Sequence, residues 1–199
     1  MLSNYVPPWL EGKIFVLSAP AGTGKTTVAR RLVKSFEALV QVPTLTTREP
    51  RPKEIPGKDY EFVSKEEFLK RLSNQELIEH VELHGNLYGT SFTNVMSARE
   101  SGKHVLLVID TEGAKAIKSC YDSVLIFLKP PSMEVLSKRL HGRGTEDLEI
   151  REERLKRAQK ELQDEIFFDY SVVNDTIENA FYLLSSIIIA ETHRIQEKK

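Results

Sequence analysis

The chain has 199 residues, of which 28 are Lys or Arg, 29 are Asp or Glu and 40% are hydrophobic. This length favours one domain with a sizeable core, and the net charge of −1 gives no overall attraction to nucleic acid or to an anionic membrane. The one cysteine, Cys120, excludes an internal disulfide and favours a reducing compartment. We therefore expect a cytoplasmic protein without a nucleic-acid or membrane partner.

The chain is predicted to start with an irregular arm at residues 1–10, because Pro7 and Pro8 cannot continue a helix or a central strand. The arm has neither a basic start nor an apolar signal core. The apolar run 14–17 then predicts a buried strand, and residues 27–36 predict a helix.

Between that strand and helix, Gly22, Gly24, Lys25 and Thr26 have the spacing of a phosphate-binding P-loop, with Ala19 in place of the usual first glycine. The glycines let backbone N–H groups turn toward a phosphate, and the helix N-terminus adds its positive dipole. Lys25 is placed to reach the β- and γ-phosphates, and the Thr26 hydroxyl to bind Mg²⁺. An ordinary glycine-rich turn is the alternative, but it does not need Lys and Thr directly after Gly24. The residues predicted to bind ATP or GTP here are Ala19, Pro20, Ala21, Gly22, Thr23, Gly24, Lys25, Thr26 and Thr27.

Residues 44–91 are predicted to form a small mixed insertion. A short β-prone segment at 42–47 leads into a proline-rich loop at 48–59. The later patterns predict a strand at 60–63, a helix from the capping box at Ser64 to Leu72, a strand at 77–83 and a turn at 85–91, followed by a helix to Arg99.

Three apolar runs follow, at 104–110, 123–128 and 170–174, and each predicts a buried strand. Helices are predicted between and after them, at 132–139, at about 148–165 and from about 176. Strands that alternate with helices predict an α/β fold, with a P-loop NTPase-type parallel sheet flanked by helices.

Three further groups of residues suggest chemistry, although each has a plainer interpretation. Arg48 and Arg51 lie three apart on a proline-stiffened loop and suit a phosphate, to which Tyr60 could donate; solvated surface arginines are the alternative. Glu79, near Tyr88 and Thr90, could accept two hydrogen bonds from guanine, which adenine cannot supply; an exposed carboxylate is the alternative.

The third group is the glycine-flanked basic segment 138–144, with Arg154 and Arg157 on the next predicted helix. Such arginines could close over transferring phosphates and neutralise their charge. A solvated pair of charged helices is the alternative.

Taken together, the order and spacing of these motifs resemble the guanylate kinases, the P-loop kinases that phosphorylate GMP. The resemblance runs from about residue 13 to about residue 190. Its most specific segments are 18–26, 46–51, 57–63, 85–91, 109–113, 130–132, 142–146 and 173–175.

The resemblance implies a role for individual residues. It assigns Arg48, Arg51, Tyr60 and Tyr88 to the GMP phosphate. It assigns Thr44, Glu79, Thr90 and Asp110 to guanine or its surroundings. It assigns Lys25, Arg139, Arg143 and Arg154 to catalysis, and Asn174 to the neighbourhood of the adenine. Two departures from the family pattern lie near the expected metal: Val108 stands where Asp is common, and Glu112 stands where Gln is usual.

The resemblance also implies a domain at 11–190, with a core at 11–43 and 92–190, a GMP-binding insertion at 44–91 and a lid at 138–157. The implied activity is Mg²⁺-dependent phosphoryl transfer from ATP to GMP, and also to dGMP, by a monomer or homodimer. Two alternatives stay open: a non-catalytic guanylate-kinase-like module that binds proteins, and a P-loop kinase with another acceptor.

Overall fold

The computed structural model describes residues 12–52, 54–83, 85–141 and 148–195. The predicted N-terminal arm and the predicted catalytic residue Arg143 lie outside the described residues. Within those ranges, none of the helices combines the length and apolarity that crossing a membrane requires.

The described residues form two β-sheets with helices around them. The strands are β1 (Ile14–Ser18), β2 (Leu39–Gln41), β3 (Thr44–Thr46), β4 (Tyr60–Phe62), β5 (Leu77–Leu83), β6 (Asn86–Ser91), β7 (His104–Val108), β8 (Ser123–Lys129) and β9 (Tyr170–Val173). The helices are α1 (Lys25–Ser35), α2 (Lys65–Ser73), α3 (Phe92–Glu100), α4 (Thr111–Cys120), α5 (Met133–His141), α6 (Leu148–Gln163) and α7 (Ile177–Thr192), with a 3₁₀ turn at Asp164–Phe167.

The larger sheet has five parallel strands in the order β2-β7-β1-β8-β9. Strand β1 lies in the middle and is entirely buried, so alternate side chains enter opposite cores. Phe15 and Leu17 pack with residues of α1 and α7, whereas Ile14 and Val16 pack with residues of α3 and α4. This helix-covered parallel sheet confirms the predicted fold class, because both faces of β1 need apolar cover.

The smaller sheet has four strands in the order β4-β3-β6-β5. Strands β3 and β4 are parallel, while β6 runs antiparallel to both of its neighbours. All four strands fall within residues 44–91. Helix α2 begins at the predicted capping serine, Ser64, whose hydroxyl accepts a 3.1 Å hydrogen bond from the Glu67 N–H.

The predicted turn at 85–91 is wrong, since residues 86–91 form strand β6. Only Gly85, with φ +72°, has the left-handed backbone of a turn. Gly89 instead lies within the strand, where an added Cβ would come 2.9 Å from the Leu77 side chain. The two glycines therefore serve different purposes: one turns the hairpin and the other makes room for close packing.

Two elements had no clear sequence signal. Strand β2 has only three residues, and it becomes a strand by pairing with β7. Helix α4 has few apolar residues, and it begins where the Asp110 carboxylate accepts a 2.8 Å hydrogen bond from the Gly113 N–H. In both cases the neighbouring structure outweighs a weak local preference.

Candidate active site

The P-loop joins β1 to α1, at the carboxyl end of the larger sheet. Gly22 and Gly24 have φ values of +87° and +99°, which turn the backbone ahead of the helix. Both glycines are also tightly packed: a Cβ on Gly22 would lie 2.8 Å from Leu140, and one on Gly24 would lie 2.8 Å from the Asn174 amide nitrogen. The turn of the loop and its packing both require glycine at these two positions.

Lys25 begins α1 and reaches back across the loop. Its Nζ donates to the Ile109 carbonyl at 3.0 Å and to the Ala19 carbonyl at 3.5 Å. Burial lowers the pKa of Lys25, and the Asp110 and Glu161 carboxylates partly oppose that effect. The ammonium therefore lies between the P-loop and the end of β7, where the charges of Asp110, next to Ile109, and of Glu161 on α6 act on it.

The substitution at Ala19 has a structural explanation. Ala19 is buried in the core that Leu17 and Val28 also form, so its methyl group packs where a glycine would leave a gap. Val108 likewise packs against that core and pairs with Leu17. Glu112 is exposed and forms a 2.9 Å ion pair with Lys115. Glu112 is thus paired with Lys115, and this contact does not indicate that it takes the place of the Asp that the family commonly has at the position of Val108.

The remaining P-loop side chains differ in burial. Thr26 is half-buried, and its hydroxyl forms no hydrogen bond to another residue in the described part of the chain. Thr27 and Ala21 are exposed, whereas Thr23 and Pro20 are buried. The Thr26 hydroxyl is thus an oxygen available to a ligand.

Two residues predicted to act on ATP contact the P-loop backbone. Arg139 of α5 donates to the carbonyls of Thr23 at 3.4 Å and Asn174 at 3.1 Å. Asn174 is 1% exposed, and its amide donates to the same Thr23 carbonyl at 2.6 Å. In this structure the two side chains stabilise the loop that precedes α1.

Helix α6 brings further charge toward Lys25. Arg154 is half-buried on this helix, three residues before Arg157. Arg157 donates to Glu161 at 2.7 Å, and the charges of both residues influence the pKa of Lys25. The second half of α6 therefore lies near the P-loop lysine. Sequence reasoning missed Glu161, which had no distinguishing feature within a charged helix.

The smaller sheet places four predicted residues in one row. Register pairs Tyr60 of β4 with Thr44 of β3, Thr44 with Thr90 of β6, and Thr90 with Glu79 of β5. Directly paired residues present their side chains on the same face, and three interstrand gaps span roughly 14 Å. We call these residues the polar row: Tyr60, Thr44, Thr90 and Glu79. Tyr88 lies on the same face, two positions along β6 from Thr90.

One end of the polar row is basic. Arg48 donates to the Tyr88 hydroxyl at 3.2 Å, and its guanidinium carbon lies 5.2 Å from the centre of the Tyr60 ring. The guanidinium also donates to both carboxylate oxygens of Glu54, at 2.9 and 3.0 Å. Glu54 accepts a further 2.8 Å hydrogen bond from the Arg51 N–H. Burial and the Glu54 charge raise the pKa of Tyr60, against the charges of Arg48 and Arg51.

Glu54 is the clearest residue that sequence reasoning missed. It orients the Arg48 fork and holds the backbone at Arg51, whose side chain is exposed. The available signal was a carboxylate three residues after Arg51 in the same short loop. Two arginines close together in a partly buried site favour a carboxylate partner.

The other end of the polar row is acidic. Glu79 is 5% exposed and accepts a 2.7 Å hydrogen bond from the Thr90 hydroxyl. Burial raises the pKa of Glu79 to about 7; Thr90 opposes this, and the Asp110 charge adds to it. A carboxylic acid that titrates near neutral pH is thus held beneath the start of α4.

Gly113 permits this close approach of α4 to β5. A Cβ on Gly113 would come 2.9 Å from Glu79 Oε2 and 3.4 Å from Asp110 Oδ1. Asp110 Oδ2 is buried and has no hydrogen-bond donor in the part of the chain that the structure describes. Two carboxylates with unused acceptor capacity therefore meet between the sheets. Such a pair suits a ligand with several N–H donors.

The geometry thus places loop 48–59, which carries Arg48, at one end of the polar row, and Asp110 near both Glu79 and Lys25. A family model described as "Guanylate kinase" matches residues 11–191 of this chain. That match includes the P-loop, the smaller sheet and α6.

Curated relatives and a solved structure agree with this match. A guanylate kinase of Protochlamydia amoebophila is 43% identical over 188 residues, which cover 94% of this chain and 95% of the relative. One of Chlamydia pneumoniae is 48% identical over 183 residues, covering 92% and 89%. The crystal structure of a guanylate kinase from Anaplasma phagocytophilum is similar, with a TM-score of 0.78 and 38% identity, covering 93% of this chain and 88% of that one. Because the family model and these similarities extend over nearly the whole chain, this chain belongs to the guanylate kinase family.

Proposed function

We propose that this chain transfers the γ-phosphoryl group of ATP to GMP, and also to dGMP, giving ADP and GDP in purine nucleotide recycling. The polar row carries this proposal: Arg48 and the Tyr88 hydroxyl lie beside its Tyr60 end, and the buried Glu79 carboxylate forms its other end. A nucleoside monophosphate has matching chemistry, with a phosphate at one end and a hydrogen-bonding base at the other.

The donor site uses the P-loop. Backbone N–H groups of residues 19–27 and the start of α1 bind the phosphates of ATP, with Lys25 at the β- and γ-phosphates. Arg139 and Asn174 support this loop by donating to the Thr23 carbonyl. We assign Asn174 to the neighbourhood of the adenine. Arg154 and Arg143 neutralise negative charge on the transferring group.

The acceptor site uses the smaller sheet. Arg48, Arg51, Tyr60 and Tyr88 bind the GMP phosphate. Thr44, Thr90, Glu79 and Asp110 surround guanine, whose N1–H and exocyclic amine donate to Glu79. Adenine offers no such pair of donors, so a buried Glu79 would be left unsatisfied and AMP would be rejected.

The reaction is a direct in-line transfer. An oxygen of the GMP phosphate bonds to the γ-phosphorus, and the bond from that phosphorus to the β–γ bridging oxygen breaks, releasing ADP. The acceptor oxygen is already a nucleophile, so the side chains hold the two nucleotides in line, neutralise charge and exclude water. Lys25 serves both substrates, because it lies between the P-loop and the Ile109 carbonyl beside Asp110.

Mg²⁺ fits the donor site. It prefers oxygen ligands and is commonly held by substrate phosphates with one or two protein groups. The Thr26 hydroxyl, at the start of α1 and free of other hydrogen bonds among the described residues, is such a group. Bound there, the ion would neutralise and orient the β- and γ-phosphates.

The same proposal divides the chain into a core at 11–43 and 92–190, a GMP-binding insertion at 44–91 and a lid at 138–157. The smaller sheet within the insertion and the contact of α5 with the P-loop support this division. We place the reaction in the cytoplasm, in keeping with one cysteine, and assign it to a monomer or homodimer.

ADP release with GMP, dGMP, AMP, UMP and dTMP offered separately tests the function. We expect turnover with GMP and dGMP, and at least about a hundredfold lower kcat/KM with AMP. Equal or better turnover of AMP would contradict the guanine assignment. No turnover with any of these acceptors, together with GMP binding, would favour a non-catalytic module.

A further inference from the structure

Two neighbouring arginines on α1 make different connections. Arg31 forms a 3.0 Å ion pair with Glu178 and lies 4.4 Å from the centre of the Phe181 ring, both on α7. Arg30 instead contacts Asp59, which lies in the loop just before β4 of the smaller sheet. Adjacent residues on one helix thus contact different parts of the molecule.

Arg30 and Asp59 form a bidentate ion pair in which the carboxylate is buried. Arg30 Nε donates to Asp59 Oδ1 at 2.9 Å, and Nη2 donates to Oδ2. The Asp59 side chain is 2% exposed, against 41% for Arg30. Burial raises the pKa of Asp59, but the hydrogen bonds from Arg30 and Ile55 outweigh it and lower the pKa below its usual value. Asp59 is therefore a charged, fully engaged carboxylate.

Asp59 also closes a tight turn. Its Oδ2 accepts a 2.7 Å hydrogen bond from the Ile55 N–H, and its own N–H donates to the Ile55 carbonyl at 3.0 Å. Glu54, the partner of Arg48, directly precedes this turn. Tyr60, the first member of the polar row, directly follows it. The turn thus lies between two groups that shape the acceptor-phosphate site.

We propose that Arg30 is a positioning residue that, through Asp59, holds the acceptor-phosphate loop (residues 48–59) at a set distance from the P-loop helix. Arg30 lies five residues after Lys25, about 7.5 Å along the helix axis at 1.5 Å per residue. Helix α1 is itself held by the buried residues Val28, Ala29 and Leu32. The inference rests on the proposed function, since it assigns loop 48–59 to the phosphate of GMP.

A matched pair of substitutions tests this role. Arg30→Gln and Arg31→Gln remove the same charge from the same helix, but only the first breaks the contact with loop 48–59. We expect Arg30→Gln to raise KM for GMP about tenfold while KM for ATP stays within about twofold. Arg31→Gln should leave both KM values within about twofold of wild type. Arg30→Lys should have a KM for GMP between those of wild type and Arg30→Gln, because it keeps the charge but loses the bidentate guanidinium.

Asp59→Asn provides a second route to the same contact. If Arg30 acts through Asp59, the double variant that combines Arg30→Gln with Asp59→Asn should have a KM for GMP close to that of Asp59→Asn alone. Hydrogen exchange gives a readout without catalysis: the Ile55 and Asp59 amides should exchange about tenfold faster in Arg30→Gln, but not in Arg31→Gln.

The outcomes separate the inference from the function on which it rests. If wild type phosphorylates GMP but Arg30→Gln matches Arg31→Gln in KM and exchange, the positioning role is wrong and the function stands. Additive effects of Arg30→Gln and Asp59→Asn would also overturn it. If wild type does not phosphorylate GMP, the proposed function fails and the inference fails with it.

Discussion

The proposed donor site is built around one continuous segment, residues 19–27, whereas the proposed acceptor site combines side chains from four strands with an arginine loop. In this proposal the donor site depends mostly on backbone N–H groups, which the positive φ values of Gly22 and Gly24 help to orient. The acceptor site depends on the chemistry of individual side chains. We therefore expect acceptor selectivity to respond to conservative substitutions that a backbone site would tolerate.

The largest effect on kcat should come from replacing Lys25, the charged side chain of the proposed donor site. Lys25→Met should lower kcat about a thousandfold, because it removes the charge next to the transferring group. KM for GMP should change by less than about threefold. Steady-state kinetics of Lys25→Met measures this effect. Lys34→Met is the control, because Lys34 is an exposed lysine on the same helix. A kcat within tenfold of wild type would remove Lys25 from the transfer step.

Glu79→Gln should have the largest effect on the acceptor site. We expect kcat/KM for GMP to fall about a hundredfold, since one acceptor for guanine becomes a donor, while KM for ATP stays unchanged. The exposed Glu82 on the same strand supplies the control Glu82→Gln. Equal losses in the two variants would mean that strand integrity, and not the Glu79 carboxylate, matters.

The raised pKa of Glu79 predicts a pH dependence for the acceptor site. KM for GMP should fall as pH rises through about 7, because the carboxylate forms, and Glu79→Gln should abolish this change. The free protein should show the opposite trend in stability. Between pH 4.5 and about 7 the folded state binds more protons than the unfolded state, so the free energy of unfolding falls with rising pH, by roughly 3 kcal/mol for a shift of this size.

Thermal unfolding of wild type and Glu79→Gln across that pH range measures the stability trend. The variant should have the flatter profile. A wild-type KM for GMP that is independent of pH between 6 and 8 would show that guanine binding does not use an ionised Glu79.

The smallest effect should come from Glu54, which orients Arg48 without a predicted contact to the nucleotide. Glu54→Gln should raise KM for GMP about threefold, because the guanidinium keeps Tyr88 but loses a charged partner. Glu49→Gln in the same loop is the control, since Arg48 contacts only the Glu49 carbonyl. A lower KM in Glu54→Gln would mean that Glu54 competes with the phosphate.

The contrast between a continuous donor segment and a dispersed acceptor site also explains which features the sequence could predict. The P-loop and the apolar strands β1, β7 and β8 are contiguous signals, and they indicated both the donor site and the α/β fold. The assignment of Glu79 and Tyr88 needed the resemblance to a family, because nothing local distinguishes them from surface residues. Arg30 and Gly113 contact residues that are distant along the chain, and Glu54 contacts Arg48 within an irregular loop, so these contacts became visible only in the folded structure.

Phosphorus NMR of ATP, GMP and Mg²⁺ with the wild-type chain follows the transferred group itself. The γ-phosphoryl group of ATP should appear as the β-phosphate of GDP, with ADP and GDP formed in equal amounts and little free phosphate, because the two sites hold donor and acceptor together and exclude water. Inorganic phosphate released without GDP would contradict a shared transfer site formed by the P-loop and the polar row.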